Sequence, residues 1–289
     1  MKLGMSSYSL LGAMKADGMS ILDVIDWTAD QGGEHIELVP MGYTLTDNPD
    51  LIESILKKAK ERNIDISNYA IGADFLPETD EAFEQEIERV KKEVDVANQL
   101  GVKLMRHDVS FKPPQEASIQ QFEKDLPQLV EACQRIADYA NQYGIVTSIE
   151  NHGFYVQASD RIQRLMYEVD RPNFKTTLDT GNFLCVDEDP VSGVKNNIKD
   201  ASMVHFKDFY FRPESWYNPG DGWLVTTSGN YIRGAITGHG DIDLREVVKV
   251  VKASGYDGYI SIEFEGLEES KKAAKMSMDN VRKIWNSIQ

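Results

Sequence analysis

The feature that most constrains the fold of this chain is a regular alternation of strand-like and helix-like segments along its length. Strict alternation favours parallel strands that are joined by right-handed helical crossovers. Eight such units in 289 residues predict an α/β protein built as a (β/α)₈ TIM barrel. The expected strands are residues 2–9, 35–39, 64–71, 102–107, 145–151, 174–179, 202–208 and 259–264. The expected helices are residues 20–31, 49–62, 81–100, 118–143, 159–169, 191–198, 243–253 and 268–287.

The main structural alternative is a doubly wound open sheet. Such a sheet usually has fewer strands and often a glycine-rich phosphate turn after the first one, and neither a G-x-G-x-x-G nor a Walker A pattern is present. A long Gly/Pro/Trp-rich segment at about 211–240 interrupts the alternation. We therefore expect one domain over residues 1–289, with a loop insertion at that point.

The amino-acid composition limits the kinds of binding partner and the location that we expect for this chain. The formal net charge is −16, and the basic residues are scattered among acids, so we expect no nucleic-acid partner. The two cysteines, Cys133 and Cys185, do not suggest a disulfide scaffold. No segment is long and apolar enough for a membrane span or a signal peptide, so we expect a cytoplasmic protein. The sequence leaves the oligomeric state open, a homo-oligomer included.

Four ionisable residues stand at the ends of four predicted strands: Glu150 in TSIENHG, Asp179 in TTLDTGN, His205 in MVHFKDF and Glu263 in ISIEFEG. Strand ends converge on one face of such a barrel. An ionisable group there is costly unless it is paired or functional. Two Glu, one Asp and one His form a ligand set for one divalent cation. We expect Mn²⁺, with Mg²⁺, Co²⁺ or Zn²⁺ as alternatives.

These motifs, together with the GHGDID loop at 238–243, resemble those of the xylose isomerase-like barrel superfamily. This group of sugar phosphate isomerases and epimerases is also called AP endonuclease family 2. The resemblance covers nearly the whole chain. It implies that Glu150, Asp179, His205 and Glu263 bind one divalent metal ion. It further implies that Glu150 and Glu263 flank a sugar carbon from opposite faces, as a catalytic pair.

The resulting hypothesis is a metal-dependent isomerase or epimerase that acts on a ketose, keto-sugar or keto-glycoside. One glutamate removes a proton to give a metal-stabilised enediolate, and an acid returns the proton. The alternative with the same site is a lyase or dehydratase, which needs a further acid for the leaving group, such as His152. A more remote alternative is an apurinic-site endonuclease, although that branch uses three metals and more histidines. A barrel that only binds its ligand is a fourth reading.

Several further residues are candidates for catalysis or substrate binding. His152 shares the predicted face of Glu150, and Lys207 shares that of His205, but each could equally be a purely structural partner. Arg106 and His107 end one strand, and strand alternation lets only one of them point inward. Three others depend on loop geometry: Asn182 beside Asp179, His239 in a Gly-His-Gly turn, and Trp216 in the insertion, where Tyr217 and Trp223 also lie.

Overall fold

The computed structural model, which describes residues 1–288, confirms the predicted barrel. The strands in chain order are β1 (Lys2–Ser6), β2 (His35–Leu38), β3 (Asp65–Ile71), β4 (Leu104–His107), β5 (Val146–Glu150), β6 (Phe174–Asp179), β7 (Ala201–Phe206), β8 (Asp208–Arg212), β9 (Leu224–Val225), β10 (Tyr231–Ala235) and β11 (Tyr259–Ile262). Eight of them close a parallel barrel in the order β1-β11-β7-β6-β5-β4-β3-β2. The pairing of β1 with β11 therefore joins the two ends of the chain.

The helices alternate with the barrel strands along the chain, and the last helix follows the last strand. They are α1 (Leu11–Asp17), α2 (Ile21–Asp30), α3 (Pro49–Arg62), α4 (Asp80–Gln99), α5 (Ile119–Asn141), α6 (Ser159–Val169), α7 (Pro190–Asn197), α8 (Leu244–Ala253) and α9 (Ser270–Ser287). Short 3₁₀ turns occupy Ser7–Leu10, Asn182–Val186 and Ile198–Asp200. Buried residues such as Val24, Val90, Leu129 and Val247 lie on helix faces in the continuous apolar core. Within residues 1–288, none of the helices has the length and hydropathy that a bilayer crossing requires.

Local sequence explains where these helices begin. Ser20 and Asp23 form a capping box at the start of α2, in which each side chain accepts a hydrogen bond from the other residue's backbone N–H. The Asp243 side chain likewise accepts from the backbone N–H of Glu246, at 3.0 Å, and starts α8. These caps satisfy amide groups that the first helical turn leaves without partners.

Several strand bounds differ from the sequence prediction. The strands expected over 102–107 and 259–264 span Leu104–His107 and Tyr259–Ile262, and two further differences change the path of the chain. The first strand ends at Ser6 rather than at residue 9, because the chain turns into a 3₁₀ helix there and the Ser9 hydroxyl donates to the carbonyl oxygen of Ile262, at 3.0 Å. The strand expected over 202–208 ends at Phe206. From Asp208 the chain enters a separate antiparallel sheet in the order β8-β10-β9. The long insertion thus contains strands of its own.

Candidate metal centre and cavity

The four strand-end residues converge at one end of the barrel. Glu150 and Asp179 are the last residues of β5 and β6, His205 is the penultimate residue of β7, and Glu263 follows β11 directly. All four are buried. Each offers one ligand atom, and these atoms lie within 4.8 Å of one another. Because β5, β6, β7 and β11 are neighbours in the barrel, the set comes from four adjacent strands.

The free atoms in this cluster fit a divalent cation. The Nδ1 atom of His205 lies 3.6 Å from Glu263 Oε1, 3.7 Å from Glu150 Oε1 and 3.9 Å from Asp179 Oδ2. The His205 Nδ1 and Asp179 Oδ2 atoms are buried and have no hydrogen-bond partner among residues 1–288. Buried polar atoms are normally satisfied, so this pair needs an explanation. A carboxylate-and-imidazole donor set around a shared gap is the kind of site that Mn²⁺, Co²⁺ or Zn²⁺ takes.

The electrostatics of the cluster also favour a cation. Burial, reinforced by the Glu263 and Glu150 carboxylates, raises the pKa of Asp179 to about 7, although Lys207 opposes the rise. Burial opposes a charged imidazole at His205, but Glu37, Glu263 and Glu150 outweigh it and raise the pKa of His205 well above its usual value. The surrounding carboxylates contribute to both rises, which reflects the negative charge gathered at the cluster. A bound divalent cation would relieve it.

The sequence around Asp179 holds that residue rigidly. Its Oδ1 atom accepts hydrogen bonds from the backbone N–H groups of Gly181, at 2.8 Å, and Asn182, at 2.7 Å. The Asn151 side chain spans from β5 to β6, since it donates to the Asp179 carbonyl oxygen and accepts from its N–H. The LDTGN segment therefore fixes one carboxylate oxygen structurally and leaves Oδ2 directed at the cluster.

Arg106 and Asn182 fix the carboxylate of Glu150. An Arg106 guanidinium nitrogen lies 2.6 Å from Glu150 Oε2 and 3.1 Å from Asp108 Oδ1. The Asn182 amide donates to Glu150 Oε1 at 3.0 Å. Burial opposes ionisation of Glu150, but Arg106 and His205 lower its pKa well below the usual value. Glu150 is thus an ionised carboxylate with both oxygens engaged.

Lys207 lies beside the cluster on the segment that links β7 to β8. Its Nζ atom is 2.7 Å from Glu263 Oε2, 3.5 Å from Asp179 Oδ2 and 3.5 Å from Glu265 Oε2. Lys207 also donates to the Asn182 side-chain oxygen at 3.1 Å. Burial opposes its charge, but these carboxylates raise the pKa of Lys207 well above its usual value. The protonated ammonium group of Lys207 is therefore fixed next to the cluster of proposed metal ligands.

His152 lies at the edge of the site. About half of its side chain is exposed, and its Nδ1 atom is 3.4 Å from Asp108 Oδ1. Burial works against protonation, but Asp108 and Glu150 outweigh it and raise the pKa of His152. The residue is thus placed to carry a proton close to Glu150.

A cavity of about 630 Å³ opens onto the cluster. This volume lies within the range of small-molecule sites. Glu150, His205 and Glu263 line it, as do Lys207, Arg106 and His152, together with Tyr8, Tyr43, Tyr69, Asp108 and Glu265 from neighbouring strands and loops. Hydroxyl, carboxylate and cationic groups thus share the wall with aromatic rings, a combination that suits a polyhydroxylated substrate.

Three candidates from the sequence lie elsewhere. His107 is fully buried beside Phe75 and Phe174, and burial lowers its pKa to about 4, so Arg106 is the member of that pair that lines the cavity. His239 is exposed and does not line the cavity, because the glycine-rich turn around it wraps the side chain of Asp208 instead. Trp216 is 56% exposed and stacks with Arg212.

Sequence reasoning missed two acidic residues of the site. Asp108 bridges Arg106 and His152 from the segment just after β4. Glu37 is fully buried in β2 and lies 2.8 Å from the Nε2 atom of His205. The segment HIEL carries a signal for Glu37, since an acid in the middle of an otherwise apolar strand needs a partner. Its partner could not be identified without the fold.

Comparison with known proteins agrees with the architecture. The family model described as xylose isomerase-like TIM barrel matches residues 25–284. The inosose dehydratase of Lactiplantibacillus plantarum is 25% identical over 242 residues, which cover 79% of this chain and 77% of the relative. The probable 3-DHS dehydratase AsbF of Bacillus anthracis has a TM-score of 0.76 at 20% identity, covering 98% of this chain and 99% of that one. The zinc-bound IolI protein has a TM-score of 0.77 at 17% identity, covering 100% and 99%.

Proposed function

The chain belongs to the xylose isomerase-like TIM barrel family, and we propose that it is a divalent-metal-dependent dehydratase. Its substrate would be a keto-sugar or a related polyhydroxy ketone. The observation that carries the proposal is the buried Glu150–Asp179–His205–Glu263 cluster at one end of a 630 Å³ cavity. From the sequence alone, epimerisation or isomerisation ranked above elimination. The dehydratase name of the curated relatives supports the reverse order.

The proposed metal ligands are Glu150, Asp179, His205 and Glu263. The cation would polarise a ketone oxygen and so acidify the neighbouring C–H bond. Glu263 is the better placed of the two glutamates to take that proton. Arg106 and Asn182 engage both oxygens of Glu150, whereas the close side-chain partner of Glu263 is Lys207. Lys207 would hold a substrate oxygen beside Glu263.

Elimination also needs an acid for the leaving hydroxyl group, and we assign this role to His152. The C–H bond next to the ketone breaks, with its proton passing to Glu263. The C–O bond at the following carbon then breaks, a C=C bond forms between the two carbons, and His152 protonates the departing hydroxyl to give water. Asp108 favours the protonated imidazole that this step requires.

The test uses inosose, the substrate that names the relatives, and Mn²⁺-loaded protein in D₂O. We expect a product that has lost one water, detected by mass spectrometry, and no product from Glu263→Gln. His152→Gln should slow the elimination by about 10²–10⁴-fold, the usual contribution of a general acid. The proposal would be contradicted if the protein bound Mn²⁺ but neither converted inosose or a panel of keto-sugars nor exchanged their protons with D₂O.

Epimerisation is the second candidate, and one observation favours it. Glu263 and His152 both line the cavity, so a second group is present that could return a proton to the carbon from which Glu263 removes one. The same D₂O experiment separates the two reactions. Epimerisation would give a product of unchanged composition that carries deuterium at one carbon, whereas elimination changes the composition.

A further inference from the structure

A second carboxylate-imidazole contact lies behind the metal cluster, on the side of His205 that faces away from it. Glu37 comes from β2, which is not a neighbour of β7 in the barrel, so its side chain reaches His205 across the barrel interior. The two oxygens of Glu37 lie 2.8 and 3.0 Å from His205 Nε2. Both residues are buried, with 0% and 1% of their surface exposed.

Glu37 is itself held by a third residue. The amide of Asn68, on the adjacent strand β3, donates to Glu37 Oε1 at 2.8 Å. Asn68 is also fully buried. A series of side-chain contacts therefore runs from Asn68 through Glu37 to His205, which is a member of the cluster. A buried carboxylate is costly unless its partners are well placed, so this arrangement needs an explanation beyond packing.

The contact determines which nitrogen of His205 can face a cation. With Nε2 directed at the Glu37 carboxylate, that nitrogen carries the proton and donates it. In the neutral imidazole that can bind a cation, the lone pair is then on Nδ1, the atom that faces the oxygens of Glu150, Asp179 and Glu263. A neutral imidazole with the opposite tautomer would present an N–H to the cation instead. Partners of this kind fix ring orientation and increase the basicity of a metal-binding histidine.

We propose that Glu37 is a positioning residue of the metal centre: it fixes the Nδ1 lone pair of His205 toward the cation, and Asn68 orients Glu37 for this task. The inference rests on the proposed function, because it needs a cation at the cluster. Glu37 does not line the cavity, so it acts only through His205 and has no direct contact with substrate.

The experiment measures Mn²⁺ affinity of the metal-free full-length protein, by equilibrium dialysis or by EPR of the free ion. Glu37→Gln should weaken Mn²⁺ binding about 10- to 100-fold. Asn68→Ala, which leaves the Glu37–His205 contact in place, should weaken it less. Ser67→Ala is the matched control: Ser67 is the buried neighbour of Asn68, but its hydroxyl contacts His35 rather than the cluster. We expect wild-type Mn²⁺ affinity for this control.

A second readout separates positioning from a general loss of structure. Urea unfolding of the metal-free variants reports stability, and the visible spectrum of the Co²⁺-loaded protein reports ligand geometry. We expect Glu37→Gln to shift the Co²⁺ spectrum while the metal-free protein still unfolds cooperatively. If Glu37→Gln does not fold, the Asn68→Ala variant is the test. Wild-type Mn²⁺ affinity in Asn68→Ala then overturns the proposal. Wild-type affinity in a folded Glu37→Gln protein overturns it as well. Absence of metal binding by the wild type would instead contradict the proposed function.

Discussion

At the scale of single residues, the barrel interior holds a histidine that is neutral for physical reasons. The ring of His35 is 0% exposed, with Nδ1 2.8 Å from the Ser67 hydroxyl and Nε2 2.9 Å from the Ile260 carbonyl oxygen. Burial lowers the pKa of His35 to about 4. The unfolded chain protonates a histidine near pH 6.5. At pH values between these two pKa values, His35 is therefore protonated in the unfolded state and neutral in the folded state.

This difference predicts a pH dependence of stability. The contribution of His35 is fully present above about pH 6.5 and is lost as the pH falls toward 4, by roughly 2–3 kcal/mol. We expect His35→Gln to flatten the change in the free energy of unfolding between pH 7 and pH 4.5, as measured by urea titration. Ser67→Ala keeps the imidazole and should keep the steeper dependence. If the free energy of unfolding of His35→Gln depended on pH as steeply as that of the wild type, the prediction would be wrong.

Single residues also show what the sequence can and cannot predict about the site. The four metal-ligand candidates could be found because each is an ionisable residue at the end of an apolar strand, and strand ends converge. The sequence predicts that either Arg106 or His107 points into the barrel. It does not show which one, because strand alternation does not say which residues face inward. Glu37 and Asp108 depend on contacts across the barrel or between loops, which sequence spacing does not encode.

At the scale of elements, the loop between β10 and α8 is organised around one buried aspartate. Asp208 accepts hydrogen bonds from the backbone N–H groups of Gly238, Gly240 and Phe209, each at 2.9 Å. A Cβ on Gly240 would lie 2.2 Å from Asp208 Oδ1. The glycine therefore permits the close approach, and the GHGDID motif serves this loop rather than the cavity.

Removal of the acceptor should destabilise this loop. Asp208→Ala removes the acceptor that the backbone N–H groups of Gly238, Gly240 and Phe209 share, and we expect a loss of about 2–4 kcal/mol in the free energy of unfolding. Asp208→Asn keeps one acceptor oxygen and should lose less. Chemical denaturation of the two variants gives both values. Wild-type stability of Asp208→Ala would show that water replaces the aspartate at little cost.

Element boundaries were harder to predict than element order. The segment from Ser202 to Asp208 is predicted as one strand, but the chain changes sheet at Lys207, whose side chain lies in the carboxylate cluster. The strands β9 and β10 were missed because they lie in a segment rich in glycine and proline. The strand β10 pairs antiparallel with both β8 and β9, and the βα rhythm that predicts the barrel carries no information about these contacts.

At the scale of the whole molecule, metal binding should be coupled to stability. The four proposed ligands come from β5, β6, β7 and the end of β11, so a cation would join a continuous arc of the barrel. At a free Mn²⁺ concentration about 100 times the Kd, the free energy of unfolding should rise by about 2.7 kcal/mol. For a protein of this size we expect the Tm to rise by several degrees.

Thermal unfolding with Mn²⁺ and with excess EDTA measures this shift. Asp179→Asn is the control, because it removes one proposed ligand charge while an amide oxygen still accepts from Gly181 and Asn182. Its Tm should respond little to Mn²⁺. Equal Tm values for the wild type under the two conditions would contradict the assignment of a metal to the cluster.

The closure of the barrel through β1 and β11 has a consequence for biosynthesis. Glu263 follows the last barrel strand directly, so the ligand set is complete only after that strand has left the ribosome. Two side-chain partners of the cluster, Glu37 and Arg106, lie on earlier strands and are synthesised well before it. Their counterparts His205 and Glu150 are added later, and the full set of four ligands for a cation can form only once Glu263 has been synthesised.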